Sequence, residues 1–139
     1  MGEKVDKNAV VLIVEDDPNL RKILVAIVKK LGFSNIREAE NGQKAWMTIN
    51  NATIGLLLTD LNMPVMDGLQ LSRMVRANPQ FNHIPILVIT AADTKETIVK
   101  AGKSGVDGYI IKPFDIKQIV GKIESSFSHR ASVNAKKEV

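Results

Sequence analysis

Four short apolar runs in this chain stop at a residue that can carry charge or donate a hydrogen bond. They are AVVLIV (Ala9 to Val14) before Glu15-Asp16-Asp17, the run from Ile54 to Thr59 before Asp60, ILVIT (Ile86 to Thr90), and GYII (Gly108 to Ile111) before Lys112-Pro113. Runs this short and this rich in β-branched and aliphatic residues read as strands buried on both faces. Between the first two lies a different periodicity. Pro18 stands at a helix-opening position, Leu20, Ile23, Leu24, Ile27, Val28 and Leu31 follow at helical spacing, and Gly32 closes the segment. Strands of this kind alternating with helices constrain the fold more than any other feature: they require right-handed βαβ units and a parallel sheet covered by helices on both sides.

The alternation continues along the chain. NIREA gives a second strand, Gly42 to Ile49 a second helix with Ala45, Trp46 and Ile49, and Leu69, Leu71, Met74 and Val75 mark a third helix. A fourth helix is predicted from Thr94 to Lys103 and a fifth from Asp115 to Phe127, with Ile116, Ile119, Val120, Ile123 and Phe127 on one stripe. The remainder, Met1 to Asn8 and Ser128 to Val139, is polar and expected to fray.

Composition narrows the function. The 139 residues, 45% of them apolar, suffice for one domain with a core of its own. With no cysteine there is neither a disulfide framework nor a thiolate ligand or nucleophile. No apolar run approaches the roughly 20 residues of a membrane span and MGEKVDKNA lacks a signal-peptide core, so a soluble cytoplasmic protein is expected. A net charge of +4, spread over several segments and without interleaved aromatics, reads as a solvated basic surface rather than a nucleic-acid footprint.

In open α/β sheets ligands bind beyond the carboxyl ends of the strands. The residues to collect there are Glu15, Asp16 and Asp17, then Asp60, Thr90 and Lys112. Crowded carboxylates raise one another's pKa unless a cation sits among them. A hard divalent ion with room for water and phosphate oxygens suits the set, which points to Mg²⁺. Asp60 would be a nucleophile forming an acyl phosphate, Lys112 would neutralise the phosphoryl oxygens, and Thr90 would donate a hydrogen bond to them. Each residue also has an ordinary structural explanation: Asp60 and Thr90 as turn residues, Asp17 as a helix cap, Lys112 as a surface lysine before proline. Their convergence on one sheet edge favours the chemical reading.

At these residues, VLIVEDDPNLR, LLLTDLNMPVMDGL, ILVITA and GYIIKPF, the chain resembles the receiver domain of two-component response regulators over roughly Val10 to Phe127. The resemblance implies a flavodoxin-like (βα)5 doubly wound α/β fold with strand order 2-1-3-4-5, a receiver domain over residues 9–127, and flexible termini at 1–8 and 128–139. It implies that Asp60 accepts a phosphoryl group from a histidine kinase. Asp16, Asp60 and the backbone carbonyl of Asn62 would hold Mg²⁺, with Glu15 acting through water. Lys112, preceding a cis proline bond, would contact the phosphoryl oxygen, and Thr90 and Tyr109 would form a switch pair. Such a protein catalyses only its own phosphorylation and dephosphorylation. Glu15 stands where the family more often has Asp, and Asp17 has no expected role in the site.

A narrower resemblance, to stand-alone chemotaxis receivers of the CheY kind, rests on GFSNIREAENG, on Lys95, Glu96 and Ile98 in helix four, and on Lys122 in helix five. It implies a partner face carrying Lys95, Ile98, Tyr109 and Lys122 and directed at a flagellar motor switch protein or another target. It also implies a CheA-like histidine kinase as phosphodonor, a phosphatase among the partners, a monomer, and no membrane or direct nucleic-acid partner. The alternative is a receiver domain cut from a multidomain regulator with a DNA-binding or enzymatic output domain. A haloacid-dehalogenase type of enzyme would need a second acid where Asn62 stands. A flavin-binding relative would want a phosphate loop where EDDPN would repel one.

Overall fold

The computed structural model describes residues 5–138. In chain order the elements are β1 (Val11–Val14), α1 (Pro18–Lys30), β2 (Ile36–Ala39), α2 (Gly42–Asn51), β3 (Leu56–Thr59), α3 (Gly68–Ala77), β4 (Ile86–Thr90), α4 (Lys95–Lys103), β5 (Gly108–Ile111) and α5 (Ile116–Glu138). Local chemistry starts the helices where the chain says it should. The side chains of Asp17, Asn41, Asp67 and Thr94 each accept a hydrogen bond from a backbone N–H in the first turn of α1, α2, α3 and α4. Pro18 occupies the opening of α1, where its missing N–H is not needed.

The five strands are parallel in the order β2-β1-β3-β4-β5, as the family resemblance implies. Strand alternation divides the apolar side chains between two cores. On one face Val11, Ile13, Leu56, Leu58, Leu87, Ile89 and Ile110 meet Leu24 and Val28 of α1 and Ile119 and Ile123 of α5. On the other, Leu12, Val14, Leu57 and Ile86 meet Ala45 and Ile49 of α2 and Leu71 and Val75 of α3. Helix α4 is more loosely held, with Ala101 its one buried residue. No helix among the described residues is long and apolar enough to cross a membrane.

The structure corrects the reading of both termini. Residues 128–138 were expected to form a flexible tail after a helix ending at Phe127, but α5 continues to Glu138. Its extension is tied down by Asp107, whose carboxylate is fully buried just before β5. That carboxylate accepts from Arg130 Nε at 3.0 Å, lies 2.6 Å from His129 Nδ1, and accepts from Arg76 of α3 at 2.7 Å and from the Ile86 N–H at 2.8 Å. Burial pushes the Arg76 guanidinium down to about 10, with the charge of Asp107 opposing the shift and that of Arg130 adding to it. At the other end, Val5 is buried in the α1/α5 core. Lys7 lies 4.8 Å above the Phe33 ring and donates to the Leu31 carbonyl. Of the flexible terminus expected at 1–8, Val5 is buried and Lys7 is anchored on Leu31 and Phe33 although Asp6 to Asn8 are exposed, whereas Met1–Lys4 and Val139 lie outside the described residues.

Candidate functional site

The ends of β1, β3 and β5 bring Glu15, Asp60 and Lys112 into direct contact. Asp60 follows the fully buried run LLLT and is itself 8% exposed. A carboxylate so placed requires partners. Its Oδ1 accepts from the N–H groups of Leu61 at 2.6 Å and Asn62 at 3.2 Å, and its Oδ2 accepts from Lys112 Nζ at 2.9 Å. The same ammonium donates to Glu15 Oε1 at 3.1 Å. Lys112 reaches the site from a residue whose peptide bond to Pro113 is cis, as the resemblance implies.

Glu15, Asp16 and Asp60 each present a carboxylate oxygen within 4.8 Å of the others. Three negative charges face one ammonium, a surplus of two that one divalent cation would neutralise. Glu15 is 2% exposed, and burial holds its carboxyl above the ordinary carboxylate range; the Asp17 N–H and Lys112 work against that shift. Lys112 is held above its usual value: burial alone would lower it, but the charges of Asp60 and then Glu15 outweigh burial. Asp16 is exposed at the mouth of the cluster.

The loop after β3 is built tightly around Asp60. A Cβ at Gly68 would overlap the Asp60 carbonyl oxygen, so α3 can begin here only with glycine, whose N–H donates to Leu61 O at 2.9 Å. Gly42 similarly abuts the Met66 carbonyl and donates to it at 3.2 Å. Between them Val65 adopts φ 72°, and Met66 N–H closes a three-residue turn onto Pro64 O at 2.8 Å.

Thr90 ends β4 fully buried, with its hydroxyl oxygen 3.4 Å from the Ala92 N–H and its carbonyl accepting from Lys112 N–H at 2.8 Å. Tyr109, half-buried on β5, donates its hydroxyl to the Ala92 carbonyl at 2.7 Å. Thr90 and Tyr109 therefore converge on one loop. Lys95 and Ile98 on α4 and Lys122 on α5 are exposed. Asn62 meets Asp60 through its N–H. Asp17, without an expected role, caps α1. Arg21 escaped the sequence reading. It looks like one more surface cation on α1, yet it donates to the Glu15 carbonyl at 2.6 Å and to Glu38 Oε1 at 3.1 Å; only its position four residues after the cap hinted that it faces the strand ends.

The parallel sheet of order β2-β1-β3-β4-β5, with an acid-rich strand end facing a lysine, is the arrangement that the receiver-domain resemblance implies. The model of the response regulator receiver domain matches residues 11–124, and the chain belongs to that family. Among its relatives, the chemotaxis protein CheY of Pseudomonas aeruginosa is 38% identical over 117 residues, 84% of this chain and 94% of the relative. CheY-3 of Vibrio cholerae is 37% identical over 123 residues, 88% of this chain and 95% of the relative. Among solved structures, V. cholerae CheY4 superimposes with a TM-score of 0.78 at 26% identity, covering 84% of this chain and 97% of that one. The chain is thus a CheY-like receiver domain of a two-component system.

Proposed function

We propose that this protein relays a signal by accepting a phosphoryl group on Asp60 from a histidine kinase, in a reaction that needs Mg²⁺, and then binding a chemotaxis or flagellar-motor target. The observation that carries the reading is the shared ammonium of Lys112, 2.9 Å from Asp60 and 3.1 Å from Glu15 at the mouth of a three-carboxylate cluster. The fit to a hard divalent ion follows from the donor set: all oxygen, with two uncompensated negative charges. Glu15 (through water), Asp16, Asp60 and the carbonyl of Asn62 would hold Mg²⁺. When bound, the ion neutralises charge on the phosphoryl oxygens.

A carboxylate oxygen of Asp60 attacks phosphorus as the P–N bond of the phosphohistidine breaks; the imidazole leaves with the bonding pair and an acyl phosphate remains. Two backbone N–H groups fix Asp60 Oδ1, so the carboxylate is oriented before the donor arrives. Lys112 transfers its hydrogen bond from Asp60 to a new phosphoryl oxygen, and Thr90 donates to another. Tyr109 then follows Thr90 and alters the face carrying Lys95, Ile98, Tyr109 and Lys122. The similarity to chemotaxis receivers supports the target class.

Incubation with a small acyl phosphate donor, followed by mapping of the labelled residue, tests this. Label is expected on Asp60, absent in Asp60→Asn and abolished by chelator. Full labelling of Asp60→Asn, or labelling indifferent to chelator, overturns it.

A further inference from the structure

The acidic loop after β1 is held by a residue that contributes no oxygen to it. Glu15 makes the last backbone contact between β1 and β2, donating to the Ala39 carbonyl at 3.1 Å. Past that point Asp16 and Asp17 run free of the sheet until α1 begins. Arg21, one turn into α1, spans this gap. Its backbone N–H bonds the Asp17 carbonyl at 2.9 Å, its NH1 donates to the Glu15 carbonyl at 2.6 Å, and its Nε donates to Glu38 on β2 at 3.1 Å. Its side chain thereby ties α1 to the end of β1 and to the edge strand β2, while its backbone N–H belongs to the first turn of α1. The side chain is 20% exposed, so these bonds are partly shielded from water.

The choice of partners matters for a cation site. A guanidinium bonded to the Glu15 or Asp16 carboxylate would compete with a metal for the same oxygens. Here it takes a carbonyl oxygen instead, and Glu38 offsets its charge, so the carboxylates stay available. Asp16 is exposed and depends on the loop backbone for its position. We infer that Arg21 is a positioning residue of the divalent-cation site, setting the carboxylates of Glu15 and Asp16 by gripping the loop between them and the sheet. The inference rests on the Mg²⁺ reading of the cluster given above.

The test is Mn²⁺ binding followed by electron paramagnetic resonance, with Mg²⁺ competition, on the full chain. Arg21→Met keeps the apolar stem and removes every donor; outer-sphere partners of this sort govern about 10- to 100-fold of metal affinity, and a loss in that range is expected. Arg21→Lys retains charge and can make one of the two bonds, so it should recover part of the loss. It also serves if the Met variant fails to fold. Arg130→Met, in the distant Asp107 cluster, removes a more deeply buried arginine and should lower the thermal midpoint without altering Mn²⁺ affinity. Wild-type affinity in both Arg21 variants, or tighter binding, overturns the inference while leaving the cation site standing. Absence of Mn²⁺ and Mg²⁺ binding in the wild type overturns both readings.

Discussion

Val65 has the least comfortable backbone of any side-chain-bearing residue described. A β-branched residue at φ 72° is strongly disfavoured, and the cost of such a conformation is about 1–2 kcal/mol. The residue is 73% exposed and returns little packing energy. Asn tolerates positive φ, so Val65→Asn should stabilise the protein by about 1 kcal/mol, read as a rise of a few degrees in thermal midpoint. An unchanged midpoint would show the turn relaxing around valine. Tyr109 offers a second residue-scale expectation. Burial, then the charges of Asp60 and Asp93, hold its phenol above the ordinary value of about 10. Between that value and the raised one the folded state keeps a proton the unfolded chain has lost, so this contribution to stability is intact below pH 10 and declines as pH rises through the window. Ultraviolet titration should give a midpoint above 10 in the wild type and a lower one in Asp60→Asn, where one of the two repelling charges is gone.

At the scale of elements, the extension of α5 is anchored through His129 and Arg130 to one distant residue, Asp107. Asp107 gathers Arg76, His129 and Arg130 and closes the β4–β5 pairing through Ile86. Asp107→Ala would leave two largely buried guanidinium groups facing each other, a loss of about 3–5 kcal/mol. Chemical denaturation should show it, and hydrogen exchange should show residues 128–138 losing protection first; retained protection would mean that the extension is held by its own helicity. The sequence announced the five strands, the helix starts and the acid-rich edge because each is written in neighbouring residues: a run of aliphatics, an Asp or Thr before a helical stripe, a carboxylate after a strand. It did not announce this cluster. Asp107 lies 31 residues from Arg76 and 23 from Arg130, and no periodicity links them. A polar stretch such as SHRASVNAKKE reads as solvated tail until its anchor is seen. Arg21 was hidden in the same way, as one basic residue among several on α1.

For the molecule as a whole, the proposed phosphorylation site and the proposed partner face must exchange free energy in both directions. A target that binds the phosphorylated state more tightly, by roughly 1–3 kcal/mol, must stabilise the acyl phosphate state by the same amount. Titrating a target peptide against the protein with Mg²⁺, with and without a phosphoryl mimic, should give that ratio, and Lys112→Ala should bring it close to unity while the fold persists. Equal affinities in the wild type would place the signalling face elsewhere. The glycine at position 68 bears on where that energy can go. A solid body loaded at one point yields where it is most compliant, and this one has a hard wall at Asp60 and a soft wall in the element that follows β4. The hard wall is the first turn of α3, set so close to the aspartate's own carbonyl that not even a methyl group fits between them. The soft wall is α4, moored by little more than Ala101 and carrying Ile98 and Val99 in solvent. If Asp60 is phosphorylated as proposed, the added bulk would find no recoil toward α3, the strain would pass across β4 to α4, and the unequal stiffness of the two boundaries would set the direction of the signal.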